Sequence, residues 1–165
     1  MKIEDVVRRV DAAGVRLVEI TGGEPLLQGE DTISLIRKLL ERNYQVLVET
    51  NGSMKIEGID GRAVVVLDIK TPDSGMSDKM DFTNLENIKI SDEVKFVLCS
   101  RDDYEWSKKI VARYRLEDRC QVLFSPAFGL LPPRDLVAWI LDDGLRVRLN
   151  IQLHKYIFDP GERMV

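Results

Sequence analysis

The sequence predicts an α/β protein built on a mostly parallel sheet, and three observations predict it. Short apolar runs alternate with stretches of helical periodicity along the whole chain. One run, Ala63-Val64-Val65-Val66-Leu67, is apolar at every position, as a parallel strand covered on both faces would be. The unusual polar residues stand directly after the runs, where a parallel fold gathers them on one side. At 165 residues the chain reads as one domain, 1–165, large enough to bury a real core.

Taken in order, residues 3–13 form a helix with Ile3, Val6, Val7 and Val10 on one face, ended by Gly14. Val15 to Ile20 is a strand, followed by the turn Thr21-Gly22-Gly23-Glu24-Pro25. Asp31 caps a second helix, Thr32 to Arg42, that buries Ile33, Ile36, Leu39 and Leu40. Val46 to Val48 is a strand, residues 54–62 are an irregular connection, and Ala63 to Leu67 is the surest strand. A polar connection with one helical turn runs to about Asp92. Val94 to Leu98 is a strand, and Asp102 or Asp103 opens a helix carrying Trp106, Ile110, Val111 and Tyr114 into the core. Cys120 to Phe124 is a strand, and Pro132-Pro133 starts a helix that buries Leu136, Val137, Ile140 and Leu141 and closes at Gly144. The last strand, Arg146 to Leu153, alternates, with Arg148, Asn150, Gln152 and His154 on one face. Asp159 to Glu162 is turn-like, and Met164-Val165 frays. Six parallel strands can curl into a partial barrel or lie flat as a doubly wound sheet, and periodicity leaves both open.

Composition narrows the function. The net charge of −4, with acids and bases interleaved, gives no case for nucleic acid. No apolar run reaches the roughly 20 residues of a membrane span, and Met1 to Asp5 is no secretory signal, so a cytoplasmic protein is expected. The two cysteines, Cys99 and Cys120, read as buried free thiols.

Strand ends carry Thr21 and Glu24, Glu49 and Asn51, Asp68 and Lys70, Ser125, then Gln152 and His154. Spacing of two puts each of the pairs Glu49/Asn51, Asp68/Lys70 and Gln152/His154 on one face. Singly they are ordinary: Asp68 and Lys70 can pair for about 0–1 kcal/mol, and Asn51-Gly52 suits a turn. Together they describe a convergent small-molecule pocket beside a double glycine whose peptide groups a ligand can approach.

As a set, four segments resemble the radical S-adenosylmethionine (SAM) enzymes, and within them the 7-carboxy-7-deazaguanine synthases. They are Thr21-Gly22-Gly23-Glu24-Pro25, Val48-Glu49-Thr50-Asn51-Gly52-Ser53, Asp68-Ile69-Lys70-Thr71-Pro72-Asp73-Ser74-Gly75 and Gln152-Leu153-His154-Lys155-Tyr156-Ile157. Glycyl-radical-enzyme activases share the first but typically read Asp-Thr-Asn-Gly at the second. The resemblance implies an open partial β/α barrel. It assigns Gly22, Gly23, Glu24, Asp68, Lys70 and Ser125 to SAM, and Thr21, Glu49, Asn51, Gln152 and His154 to a 6-carboxy-tetrahydropterin substrate. It implies reductive cleavage of SAM, hydrogen abstraction and ring contraction by a lyase of queuosine biosynthesis, with a flavodoxin- or ferredoxin-type electron donor.

One departure stands out. The family's three-cysteine 4Fe-4S segment, its magnesium-binding threonine and the first strand of the core have no counterpart in these residues. The expectation is therefore a shortened synthase with no metal site of its own, inactive as it stands, whose exposed edge beside Val18 and Ile20 either self-associates, as in a homodimer, or is remodelled. Two other readings stay open: another radical SAM enzyme such as an activase, and a non-catalytic β/α binding domain.

Overall fold

The computed structural model describes residues 2–158. Six strands, β1 (Leu17–Ile20), β2 (Gln45–Thr50), β3 (Val64–Ile69), β4 (Glu93–Leu98), β5 (Gln121–Pro126) and β6 (Arg148–Leu149), lie in sequence order in one sheet. Every neighbouring pair is parallel. β1 pairs only with β2 and β6 only with β5, so the sheet does not close. It is the open β/α sheet of a partial barrel.

Period two divides the sheet cleanly. Val46, Val48, Val65, Leu67, Ile69, Val94, Phe96, Leu98, Val122 and Phe124 are buried on one face. The helices α1 (Ile3–Ala13), α2 (Glu30–Glu41), α3 (Arg101–Arg113) and α4 (Pro133–Asp142) supply their partners. Val7, Ile36, Leu39 and Leu40 pack on Val46 and Val48. Tyr104 and Leu136 belong to a larger cluster in which Phe124 meets Phe96 and Tyr104 edge-on, at 5.5 and 5.8 Å between ring centroids. The other face carries Glu19, Leu47, Glu49, Val66, Glu93, Lys95, Leu123 and Arg148, and it borders an open groove.

Several expected boundaries move for identifiable reasons. Asp31 is not a cap: Pro25–Gln28 form a 3-10 turn capped by Glu24, and α2 starts after Gly29. Ser100, not Asp102 or Asp103, caps α3, because its hydroxyl accepts from the Asp103 N–H. The first strand begins at Leu17, where its ladder with Gln45 of β2 starts. Leu141 is 73% exposed, one residue past the buried stripe of Leu136 and Ile140. The connection after β3 makes three 3-10 turns rather than one helical turn. Cys99 and Cys120 are free but only half-buried.

The largest correction is at the last strand. Only Arg148 and Leu149 pair in β6, and His154–Ile157 form one helical turn. β6 is the edge of the sheet, so no further strand continues the ladder, and the Leu153 N–H turns back to the Ile151 carbonyl. The expected turn at 159–162 and the frayed end lie outside the described residues.

Candidate functional site

Because all strands run the same way, their carboxyl ends share one rim. At that rim Gly22 and Gly23 have φ of +96° and +56°, left-handed conformations that favour glycine. Glu24 is buried and ties the first turn to the second strand. Its carboxylate accepts from the Leu26 N–H at 3.0 Å, the Thr50 hydroxyl at 2.8–2.9 Å and the Asn51 N–H at 2.7 Å. Three donors leave about one of a carboxylate's four acceptor directions free.

Asp68 leaves the end of β3 with Oδ2 paired to Lys70 Nζ at 2.6 Å, while Oδ1 is buried with no partner among the described residues. An acceptor held dry and unused is costly unless something else donates to it. Ser125, at the end of β5, is buried and accepts from the Asn150 side chain at 2.8 Å. Asn51 and Lys70 line a cavity of about 380 Å³ with Ser53, Met76, Lys79 and Met80.

The groove on the sheet's inner face has a volume of about 390 Å³. It is lined by Glu49, Gln152 and His154 among others, despite the short last strand. Thr21 joins them by donating to Glu49 Oε2 at 3.2 Å. The other Glu49 oxygen is held by Lys95 Nζ in an ion pair. Burial lowers the Lys95 pKa, but the surrounding Asp68, Glu49 and Glu19 carboxylates outweigh it and hold the ammonium above its ordinary value. Burial, then the Glu49 charge, raises the Glu19 carboxyl, against the opposing pull of Lys95.

Glu19, Lys95 and Asn150 were missed as site residues. A charged residue at mid-strand in Val18-Glu19-Ile20 and in Val94-Lys95-Phe96 is the signal that could have found Glu19 and Lys95, since its neighbours face the core.

The two cysteines do not meet. Cys99 follows β4 and Cys120 precedes its neighbour β5, so they stand at opposite ends of the sheet, roughly 20 Å apart at ~3.3 Å per residue. Burial pushes the Cys120 thiol up to about 11. These residues therefore do not fit an iron–sulfur cluster, which needs thiolates converging on it. Among the described residues, no three His, Cys, Asp or Glu side chains are grouped to hold a metal ion. No described helix is long and apolar enough to cross a membrane.

Fold and rim together define the class: an open β/α barrel whose strands carry polar side chains at their carboxyl ends. No family model matches the chain. The 7-carboxy-7-deazaguanine synthase of Chlorobaculum tepidum is 40% identical over 168 residues, spanning 100% of this chain and 76% of that protein. The synthase of Koribacter versatilis is 38% identical, over 90% of this chain and 72% of its own length. A crystal structure of QueE from Escherichia coli superposes with a TM-score of 0.71 at 21% identity, covering 91% of this chain and 63% of that one. The chain belongs to the 7-carboxy-7-deazaguanine synthase family.

Proposed function

We propose that this chain forms the SAM- and pterin-binding mouth of a 7-carboxy-7-deazaguanine synthase. The observation that carries the reading is Glu49, fixed from both sides by Thr21 and Lys95 in the groove that Gln152 and His154 also line. A pterin's aminopyrimidinone edge presents two adjacent N–H donors, and an oriented carboxylate accepts both. Gln152 supplies amide contacts and His154 faces the substrate carboxylate, while Asn51 closes the rim above Lys70.

SAM fits the groups beside this groove. The Gly22 and Gly23 backbone and the remaining acceptor direction of Glu24 receive its ammonium. The unpaired Asp68 Oδ1, with Lys70 and Ser125, serves its ribose and carboxylate. When bound, SAM supplies the hydrogen-abstracting chemistry; the protein's share is to position the pterin and exclude water. The half-buried free thiols suit a reducing, cytoplasmic setting. Because the two cysteines stand apart, we infer that these 165 residues bind both molecules but do not by themselves cleave SAM.

Calorimetry of the chain with 6-carboxypterin, an air-stable relative of the substrate, and SAM tests this. Binding should be measurable, and Glu49→Gln should weaken the pterin about 10–100-fold by removing a charged acceptor. SAM recovered from the same mixture after adding reductant should be intact. Equal affinity in Glu49→Gln would remove the pterin assignment.

A further inference from the structure

The inner face of the sheet holds a cation, Lys95, that is assigned no contact with SAM or with the pterin. Lys95 lies at mid-strand in β4, level with Asp68 on β3, and its side chain is only 15% exposed. Glu49 is two strands away on β2, level with Val66 and Glu93. Two strand spacings are roughly 10 Å, a gap that only a long side chain can bridge. Val66, between them, has no polar group and leaves the path clear.

We propose that Lys95 is the positioning residue of the pterin site: its ammonium holds the Glu49 carboxylate in the one orientation from which it can meet the substrate edge. The proposal rests on the pterin reading for its ligand, but the clamp itself is a property of the free chain. Thr21 alone, at 3.2 Å and exposed, is a weak second hold. Without the ammonium, Glu49 swings toward solvent and faces the Glu19 charge uncompensated.

The charged and titratable groups around Lys95 come from every part of the groove. They are Glu19 on β1, Glu49 on β2, Asp68 on β3, Glu93 on its own strand, Arg148 on β6 and His154 beyond it. Arg148 is engaged with Glu93 at 2.9 Å and Lys70 with Asp68 at 2.6 Å, which leaves Lys95 to answer Glu49 and Glu19. A second cation therefore does not stand in for it.

The test compares Lys95→Met, Lys95→Arg and Lys95→Gln with the wild type in this chain. In the methionine and glutamine variants, 6-carboxypterin should bind about 10–100-fold more weakly, with arginine restoring affinity to within a few-fold. A carbon-13 carboxyl titration provides the readout that a merely structural role would not move. The Glu19 midpoint, already raised, should climb further in Lys95→Met and return in Lys95→Arg. If the wild type binds no pterin, the functional reading fails, and the Glu19 titration alone decides the clamp. An unmoved Glu19 midpoint in both neutral variants overturns it, as does full pterin affinity in Lys95→Met. Should Lys95→Met not fold, Lys95→Gln carries the same comparison.

Discussion

Thr50 shows how closely the candidate site and the folded core share residues at this rim. Its hydroxyl donates to both oxygens of Glu24 and accepts from the Gly52 N–H at 3.2 Å, all in a buried environment. Removing it leaves a buried carboxylate short of one donor, so Thr50→Val should cost about 1–3 kcal/mol in urea unfolding, and Thr50→Ser should restore most of it. A Thr50→Val chain as stable as the wild type would mean that water replaces the hydroxyl. In the sequence Thr50 is only the residue between Glu49 and Asn51. Its partner Glu24 lies 26 positions away, and that distance is why the network was not legible. Glu49 and Asp68 were legible, because a carboxylate at the end of an apolar run has few structural reasons to be there. Lys95 was not, because its neighbours Val94 and Phe96 made the run look like plain core.

At the scale of elements, the turn after β2 is the most constrained. Gly52 has φ of +72°, and a Cβ there would sit 2.6 Å from Met80 Cε and 3.0 Å from Leu67 Cδ1. Gly52→Ala should destabilise the fold by about 2 kcal/mol, from the left-handed backbone and the crowded contact together. Adding Met80→Ala should recover the contact part and not the backbone part, which two unfolding curves separate. Asp103 anchors the next turn in the same manner, accepting from the Thr71 hydroxyl at 2.9 Å, the Asp73 N–H at 3.1 Å and the Cys99 N–H at 3.0 Å. The helices were legible from periodicity, and α1 with its Gly14 cap matches residue for residue. The last strand was not. Alternation from Arg146 to Leu153 describes side-chain preference, whereas a strand also needs a partner for its ladder, and β6 has one neighbour over two residues.

For the whole molecule, parallel topology does the organising. Six strands in sequence order put every carboxyl end on one rim, and the open edges at β1 and β6 leave the inner face reachable from solvent. The sheet's order follows because each crossover returns the chain to the position beside the strand it has just left. The choice between a flat sheet and a partial barrel was not legible from periodicity, since both bury the same outer face. What distinguishes them is the charged inner face, where Glu19, Glu49, Asp68, Glu93 and Lys95 would be intolerable under a second layer of helices. β1 also presents an unpaired ladder, and we propose that it is the edge through which two copies associate.

The central claim is that this inner face, and not the helical exterior, is where the pterin lies. Amide chemical-shift mapping of the isotope-labelled chain during titration with 6-carboxypterin tests it most directly. Shifts confined to Glu19, Glu49, Lys95 and residues 150–154 are the predicted result; shifts confined to α1–α4, or none at saturating ligand, would contradict it.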